Sequence, residues 1–190
     1  MTSTITETVR NGVDTATLFA TLDAIKAQPE IAAFRFRAQN TWIDGAHNRS
    51  AIKGFYAACS EDTTRTAGWE LNAGEPAILL GTDTGPNPAE YLLHALAACV
   101  TTSLVFAAAA RGVRLTSVES TLEGDLDVRG AMGLDDNYRN GFEQIWMTVK
   151  IAGDAPDEKL RTIVQRGTDR SVVFDSITNG VPITVDVITV

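Results

Sequence analysis

The sequence predicts an α+β fold in which runs of strands flank one long buried helix, with a short helical extension in front. Three observations predict it. Residues 87–112, NPAEYLLHALAACVTTSLVFAAAARG, read as a helix with no Asp, Glu, Lys or Arg from Tyr91 to Ala110. Stretches at 31–40, 118–129, 142–151 and 181–190 alternate with period two, as half-buried strands do. A separate run from Asp154 to Arg166 places Leu160, Ile163 and Val164 at helical spacing.

The central helix carries its own boundaries. Asn87 suits the N-cap, Pro88 the first helical position and Glu90 the third, a capping box with Asn in place of Ser or Thr. Arg111 favours the negative helix terminus, and Gly112 suits the left-handed residue beyond it. A helix apolar on every side must be buried, in protein or in lipid. The twenty uncharged residues match a bilayer in length. Their Ala-rich composition, with His94, Thr101, Thr102 and Ser103 and no aromatic belt or basic flank, points instead to a soluble core and to no membrane partner.

Ahead of that helix, residues 1–10 are Thr-rich and expected to fray. Leu18, Leu22 and Ile25 set a short amphipathic helix over 14–27, ending before Pro29 and packed on the domain. Residues 1–30 therefore read as an extension and 31–190 as the domain. From Ile31 to Asn40, Phe34, Phe36 and Ala38 share one strand face, and Arg35 and Arg37 lie on the other. Trp42-Ile43-Asp44-Gly45 supplies a turn, and the polar cluster His47-Asn48-Arg49-Ser50 reads as a hairpin loop. A strand over 51–58, weakened by Gly54, brings Cys59 to its end. A loop over 61–66, a short strand from Trp69 and an apolar strand over 76–80 lead to the turn TDTGP at 82–86.

Beyond the helix, the strands at 118–129 and 142–151 form an antiparallel hairpin. The helix from Asp154, a short helix or turn over 171–180 and a final strand over 181–190 close the chain.

Composition limits the function. At 190 residues the chain suits one domain, and 44% hydrophobic with 21% charged residues is ordinary for a globular protein. A net charge of −8 argues against nucleic acid, because no basic patch offers to release counterions. Residues 1–30 lack a basic region followed by an apolar run, so no signal peptide is expected and cytoplasmic residence is the default. Two cysteines exclude a disulfide scaffold and a four-cysteine zinc site, and with two histidines no metal site is expected. No dinucleotide fingerprint or phosphate loop appears, so no cofactor is expected.

GPNPAEYLLHALAACV, residues 85–100, resembles the signature of the OsmC/Ohr family: Gly-x-Asn-Pro, then Glu, then a small-residue run ending in Ala-Cys or Gly-Cys. Arg111-Gly112-Val113, the following hairpin and the closing SVVFDSITNGVPITVDV fit that family's order of elements over residues 31–190. The resemblance implies an intertwined homodimer, with the central helices buried between sheets from both subunits. It also implies a thiol peroxidase acting on hydroperoxides. In such members a cysteine on the central helix attacks the peroxide, a second cysteine closes a disulfide, and an external thiol reductant restores both. Cys99 matches the attacking position.

The attacking sulfur must be a thiolate. Cys99 lies twelve residues past the N-cap, about 18 Å along the axis, where the helix dipole has no reach. The helix itself holds no Lys or Arg, so a cation from elsewhere has to stabilise it. The resemblance places that arginine in the early strand–loop region, which selects Arg49, with His47 beside it as an accessory candidate and Arg35 and Arg37 in reserve.

Two departures stand out. The family's glutamate ten residues before the cysteine, which orients the arginine, is here Ala89; Glu90 lies about 180° around the helix from Cys99 and is better placed to cap. The family's resolving position falls at Ser171, which forms no disulfide. Cys59 is then either a substitute resolver or a small structural residue, and without a resolver a one-cysteine cycle remains open. Leu92, Leu96, Thr102, Ser103 and Phe106 form a pocket wall around Cys99, suited to a small apolar hydroperoxide or ligand. The sequence therefore supports thiol-dependent reduction of organic hydroperoxides, and alternatively a non-peroxidatic dimer that binds an apolar small molecule.

Overall fold

A computed structural model describes residues 8–190; most of the expected frayed terminus lies outside them. In chain order the elements are strands β1 (Val9–Arg10) and β2 (Val13–Asp14), helix α1 (Thr15–Ala27), and strands β3 (Gln39–Asp44), β4 (His47–Ile52), β5 (Phe55–Ala57), β6 (Ser60–Asp62) and β7 (Trp69–Ala73). There follow helix α2 (Pro88–Ala110), strand β8 (Leu115–Asp125), helix α3 (Val128–Ala131), strand β9 (Gln144–Gly153) and helices α4 (Asp157–Asp169) and α5 (Val172–Asn179). All the sheets are antiparallel or two-stranded, and the fold is α+β. The described residues divide into two compact units, one of Asp14–Leu92 and one of residues 8–13 with Leu93–Val190.

The second unit holds the buried core. Leu96, Val100, Leu104 and Ala108 recur every four residues along α2 and so form one stripe. They pack with Val113 and with Leu160 and Ile163 of α4, and Val118, Leu122, Ile145, Met147, Val149 and Ile151 line the inner face of the β8–β9 hairpin against them. That hairpin matches the expected alternation. Its first strand ends at Asp125, short of the expected residue 129, because Asp127 accepts the Arg129 N–H at 2.9 Å and caps the turn of α3.

The end of α2 is closed twice. Gly112, at φ 75°, donates to the Ala109 carbonyl and Val113 to that of Ala108, the paired bonds of a Schellman cap. From the N-terminus, Asn11 donates to the Val113 carbonyl at 2.9 Å and accepts from the Leu115 N–H at 2.9 Å. Arg10 Nη1 donates to the Ala109 carbonyl at 3.2 Å. Residues 9 and 10 are thus paired and anchored, contrary to the expected fraying.

Among the described residues, α2 is the one helix long and apolar enough to cross a membrane. It serves as the core helix of its unit instead. Its burial is one-sided, however: Leu92, His94, Ala98, Thr102 and Phe106 are exposed, so the chain by itself covers only the stripe and not the whole circumference.

The unit Asp14–Leu92 is built differently. Helix α1 forms where the spacing predicts, capped by Asp14, whose carboxylate accepts the Ala16 and Thr17 N–H groups at 3.0 and 3.2 Å. None of its residues is buried, and of the predicted face Leu18 and Ile25 are half-buried while Leu22 is exposed. Strands β3, β4 and β7 make a three-stranded sheet in that order, and β5 and β6 a separate hairpin.

Four strand or loop expectations fail in this unit, and one strand in the other. The strand expected over 51–58 is interrupted at Lys53-Gly54, leaving the end of β4 at Ile52 and the separate β5 over Phe55–Ala57. The predicted strand over 31–40 begins as a 3-10 turn at Pro29–Ala32, pairs only through the Arg35–Tyr56 bridge, and becomes ladder at Gln39. His47–Ile52 is strand rather than loop; the turn lies at Gly45-Ala46, and β4 is paired on both edges, which satisfies its backbone despite its polar side chains. Residues 76–80 form a 3-10 turn at Ala77–Leu79, because the Pro76 carbonyl accepts from both Leu79 and Gly81 at 2.9 and 3.1 Å. Finally, residues 181–190 form no strand: alternation defines a face, but a strand also needs a partner, and Val181, Ile183, Val185 and Val187 stay exposed.

Candidate functional site

The N-terminus of α2 is built as the sequence predicts. Asn87 Oδ1 accepts the Glu90 N–H at 2.8 Å, and a Glu90 carboxylate oxygen accepts the Asn87 N–H at 2.8 Å. Glu90 is therefore committed to the reciprocal capping box. Cys99 follows in mid-helix as a free, half-buried cysteine beside the fully buried Val100. Of the expected pocket wall, Leu96 belongs to the core stripe and Ser103 is half-buried. Leu92 and Phe106 are 39% and 45% exposed. Thr102 is exposed too, its hydroxyl donating to the Ala98 carbonyl at 3.0 Å.

Arg49 lies on β4, directly across from Asn72 on β7. Its Nε donates to Asn72 Oδ1 at 3.0 Å, and His47 Nε2 lies 3.1 Å from the same oxygen. Because that oxygen only accepts, His47 carries its proton on Nε2. The Asn72 main-chain carbonyl accepts the Tyr91 hydroxyl at 2.7 Å, so the first turn of α2 is tied to the same residue. Gly85, in the turn before the cap, packs so closely on Asn72 that a Cβ there would collide with the Asn72 carbonyl. His47, Arg49, Asn72, Tyr91 and the Gly85 turn thus form one polar cluster.

The reserve arginines are placed differently. Arg37 makes a two-pronged pair with Glu61 at 2.7 Å on each prong, and those hydrogen bonds hold the Glu61 carboxyl below the usual carboxylate range. Arg35 is exposed and enters its bridge through the backbone. Among the described residues Arg49 pairs with no carboxylate, and its two terminal amino groups make no hydrogen bond.

Cys59 is exposed and sits in the two-residue turn between β5 and β6, not at a strand end. Ala58 and Cys59 take φ of 47° and 62° there, a turn more often filled by Asn-Gly. Ser171 is 1% exposed and caps α5, its Oγ accepting the Phe174 N–H at 3.2 Å. A capping hydroxyl explains why serine serves at that position.

Sequence reasoning named Cys99, Arg49 and His47 as candidates; Asn72, the Tyr91 hydroxyl and the close approach at Gly85, which the structure joins to Arg49 and His47, were not among them. The register that sets Asn72 against Arg49 is a long-range pairing, and neither strand alternates clearly enough to reveal it.

A family model described as OsmC-like protein matches residues 81–186, a span that includes the capping box, Cys99 and Ser171. No curated protein matches the chain. Among solved structures, an OsmC-like protein from Mycoplasma pneumoniae is 12% identical with a TM-score of 0.58, over 75% of this chain and 86% of that one. An OsmC-like protein of unknown function from Vibrio cholerae is 12% identical with a TM-score of 0.56, over 76% and 94%. An organic hydroperoxide resistance protein OsmC from Legionella pneumophila is 16% identical with a TM-score of 0.55, over 78% and 93%. At these identities the likeness is one of fold.

Proposed function

This chain belongs to the OsmC-like protein family, and from that premise we propose that it reduces organic hydroperoxides with Cys99 as nucleophile and Arg49 as the cation that stabilises its thiolate. The observation that carries the reading is the cysteine itself, held half-buried on a capped central helix inside the family-matched span. Arg49, which pairs with no carboxylate among the described residues, supports the second role. One structural relative named as an organic hydroperoxide resistance protein agrees with the chemistry.

The cycle balances without a second protein thiol. The Cys99 thiolate attacks the terminal oxygen of the hydroperoxide; the S–O bond forms, the O–O bond breaks, and the leaving alkoxide takes a proton to become the alcohol. Sulfur is oxidised to the sulfenic acid. An external thiol attacks that sulfur and releases water, and a second external thiol frees Cys99 and leaves as the disulfide.

The working form in this reading is an intertwined homodimer, in the cytoplasm. Three features support a covering second copy: the exposed apolar side of α2, the unpaired residues 181–190, and a unit Asp14–Leu92 in which no large side chain is buried. With that cover, Leu92, Thr102, Ser103 and Phe106 would wall a pocket for an alkyl chain.

Cys99→Ser should abolish thiol-dependent consumption of cumene hydroperoxide, and Cys59→Ser should leave it intact. Undiminished turnover by Cys99→Ser would end the peroxidase reading. The commitment of Ser171 to a helix cap favours a second reading, a dimer that binds an apolar small molecule without chemistry. In that case Cys99→Ser retains ligand affinity, measured by calorimetry, and the wild type consumes no peroxide.

A further inference from the structure

We infer that Asn72 is the positioning residue for Arg49, an inference that rests on Arg49 acting on Cys99. The residue is fixed on three sides. Its backbone is the cross-strand partner of Arg49 in the β4–β7 ladder, its carbonyl is held by the Tyr91 hydroxyl at 2.7 Å, and the Gly85 turn presses against it. Its side-chain oxygen therefore has little freedom, and it meets Arg49 Nε at 3.0 Å. With the helix position ten residues before Cys99 occupied by Ala89 and Glu90 spent on the cap, no carboxylate on α2 is left to orient the guanidinium.

The choice of an amide has an electrostatic consequence. A carboxylate would orient the guanidinium by a two-pronged pair and neutralise it, as Glu61 does to Arg37. Asn72 holds Arg49 by Nε alone and adds no charge, so the terminal amino groups keep their donors and the full positive charge for a thiolate. The titratable groups around the cluster are His47 on β4, Tyr91 and Glu90 on α2, Glu75 bonded to Asn87 beside the Gly85 turn and, by register, Asp44 on β3 and Glu70 on β7. None makes an ion pair with Arg49 among the described residues.

The test is the pH profile of Cys99 alkylation by iodoacetamide in the full-length Cys59→Ser protein. It is run with Arg49→Ala, Asn72→Ala and the double variant, each checked for a cooperative thermal transition. Asn72→Ala should raise the midpoint by about one pH unit and slow alkylation by about tenfold at pH values below the wild-type midpoint. In the Arg49→Ala background the same change should add less than about twofold, as expected of residues acting as a unit. Asn72→Asp, which keeps the acceptor and the backbone contacts, should also raise the midpoint because its charge offsets that of Arg49. It covers the case in which Asn72→Ala does not fold.

Other outcomes overturn the inference in distinguishable ways. If Arg49→Ala shifts the profile while both Asn72 variants leave it at wild type, or if Asn72→Ala adds its full effect to Arg49→Ala, then Asn72 does not act through Arg49. If Arg49→Ala shifts nothing, the assignment of Arg49 fails and takes this inference with it.

Discussion

Arg49→Ala is expected to slow the reaction of Cys99 with an organic hydroperoxide by on the order of 10²-fold, the loss typical of removing one preorganised donor from a developing charge. The reasoning is electrostatic. Cys99 lies too far along α2 for the helix terminus to help, and α2 contributes no Lys or Arg within its span. The protein carries a net charge of −8, so a thiolate is disfavoured unless a local cation opposes the general field. Arg37 is committed to Glu61, and the Arg65 guanidinium lies 4.7 Å from the ring centres of both Phe55 and Trp69. Among the described residues Arg49 is held by a neutral amide and by no carboxylate. The loss should appear in the second-order rate constant near pH 7 and shrink as the pH rises above the thiol's own ionisation, where the thiolate forms unaided. A rate reduced equally at all pH values would assign Arg49 to substrate binding instead.

Gly167→Ala is expected to destabilise the fold by about 1–3 kcal/mol, the usual range for overpacking a core. By helix propensity alone the change on α4 should stabilise by about 1 kcal/mol, so the two effects oppose in sign. Packing decides. A Cβ at Gly167 would lie 2.5 Å from Leu104 Cβ and 2.7 Å from both the Leu104 Cα and backbone nitrogen. Two of those three atoms are backbone, and Leu104 and Ile163 are fully buried, so the neighbours have no room to yield. Equilibrium urea unfolding should show a lower midpoint at an unchanged slope. A midpoint at or above that of the wild type would mean that α2 and α4 are not in contact there.

Local signals were legible and long-range pairing was not. The Asn87–Glu90 box, the Gly112 cap and the uncharged span between them define α2 within a residue or two, because each rests on neighbours in the chain. The β8–β9 hairpin was legible from its alternation, although its strands begin and end two to four residues from the expected bounds. Between residues 31 and 80 the strands are short and polar, and the turns decide where they start. Gly45-Ala46 converts an expected loop into β4, and Leu80, at φ 63°, stops an apolar run from extending. Residues 181–190 carry a strand pattern without a strand, because nothing described in the chain pairs with them.

The site divides along the same line. Cys99 and Arg49 were named as candidates from a motif and from a polar cluster in the region where the family resemblance places an arginine. Asn72 owes its place to the register of β7 on β4, and no stretch of sequence around Leu71 announces it. Ser171 was read as a missing cysteine; its buried hydroxyl also serves the fold as the cap of α5, which no count of thiols reveals.

The most direct measurement is a single-turnover reaction of the reduced protein with one equivalent of cumene hydroperoxide, counting free thiols and trapping sulfenic acid with dimedone. The account predicts rapid loss of one thiol per chain and a dimedone adduct on Cys99, unchanged in Cys59→Ser. Reaction no faster than that of a free thiol in solution would contradict it and leave the ligand-binding reading in its place.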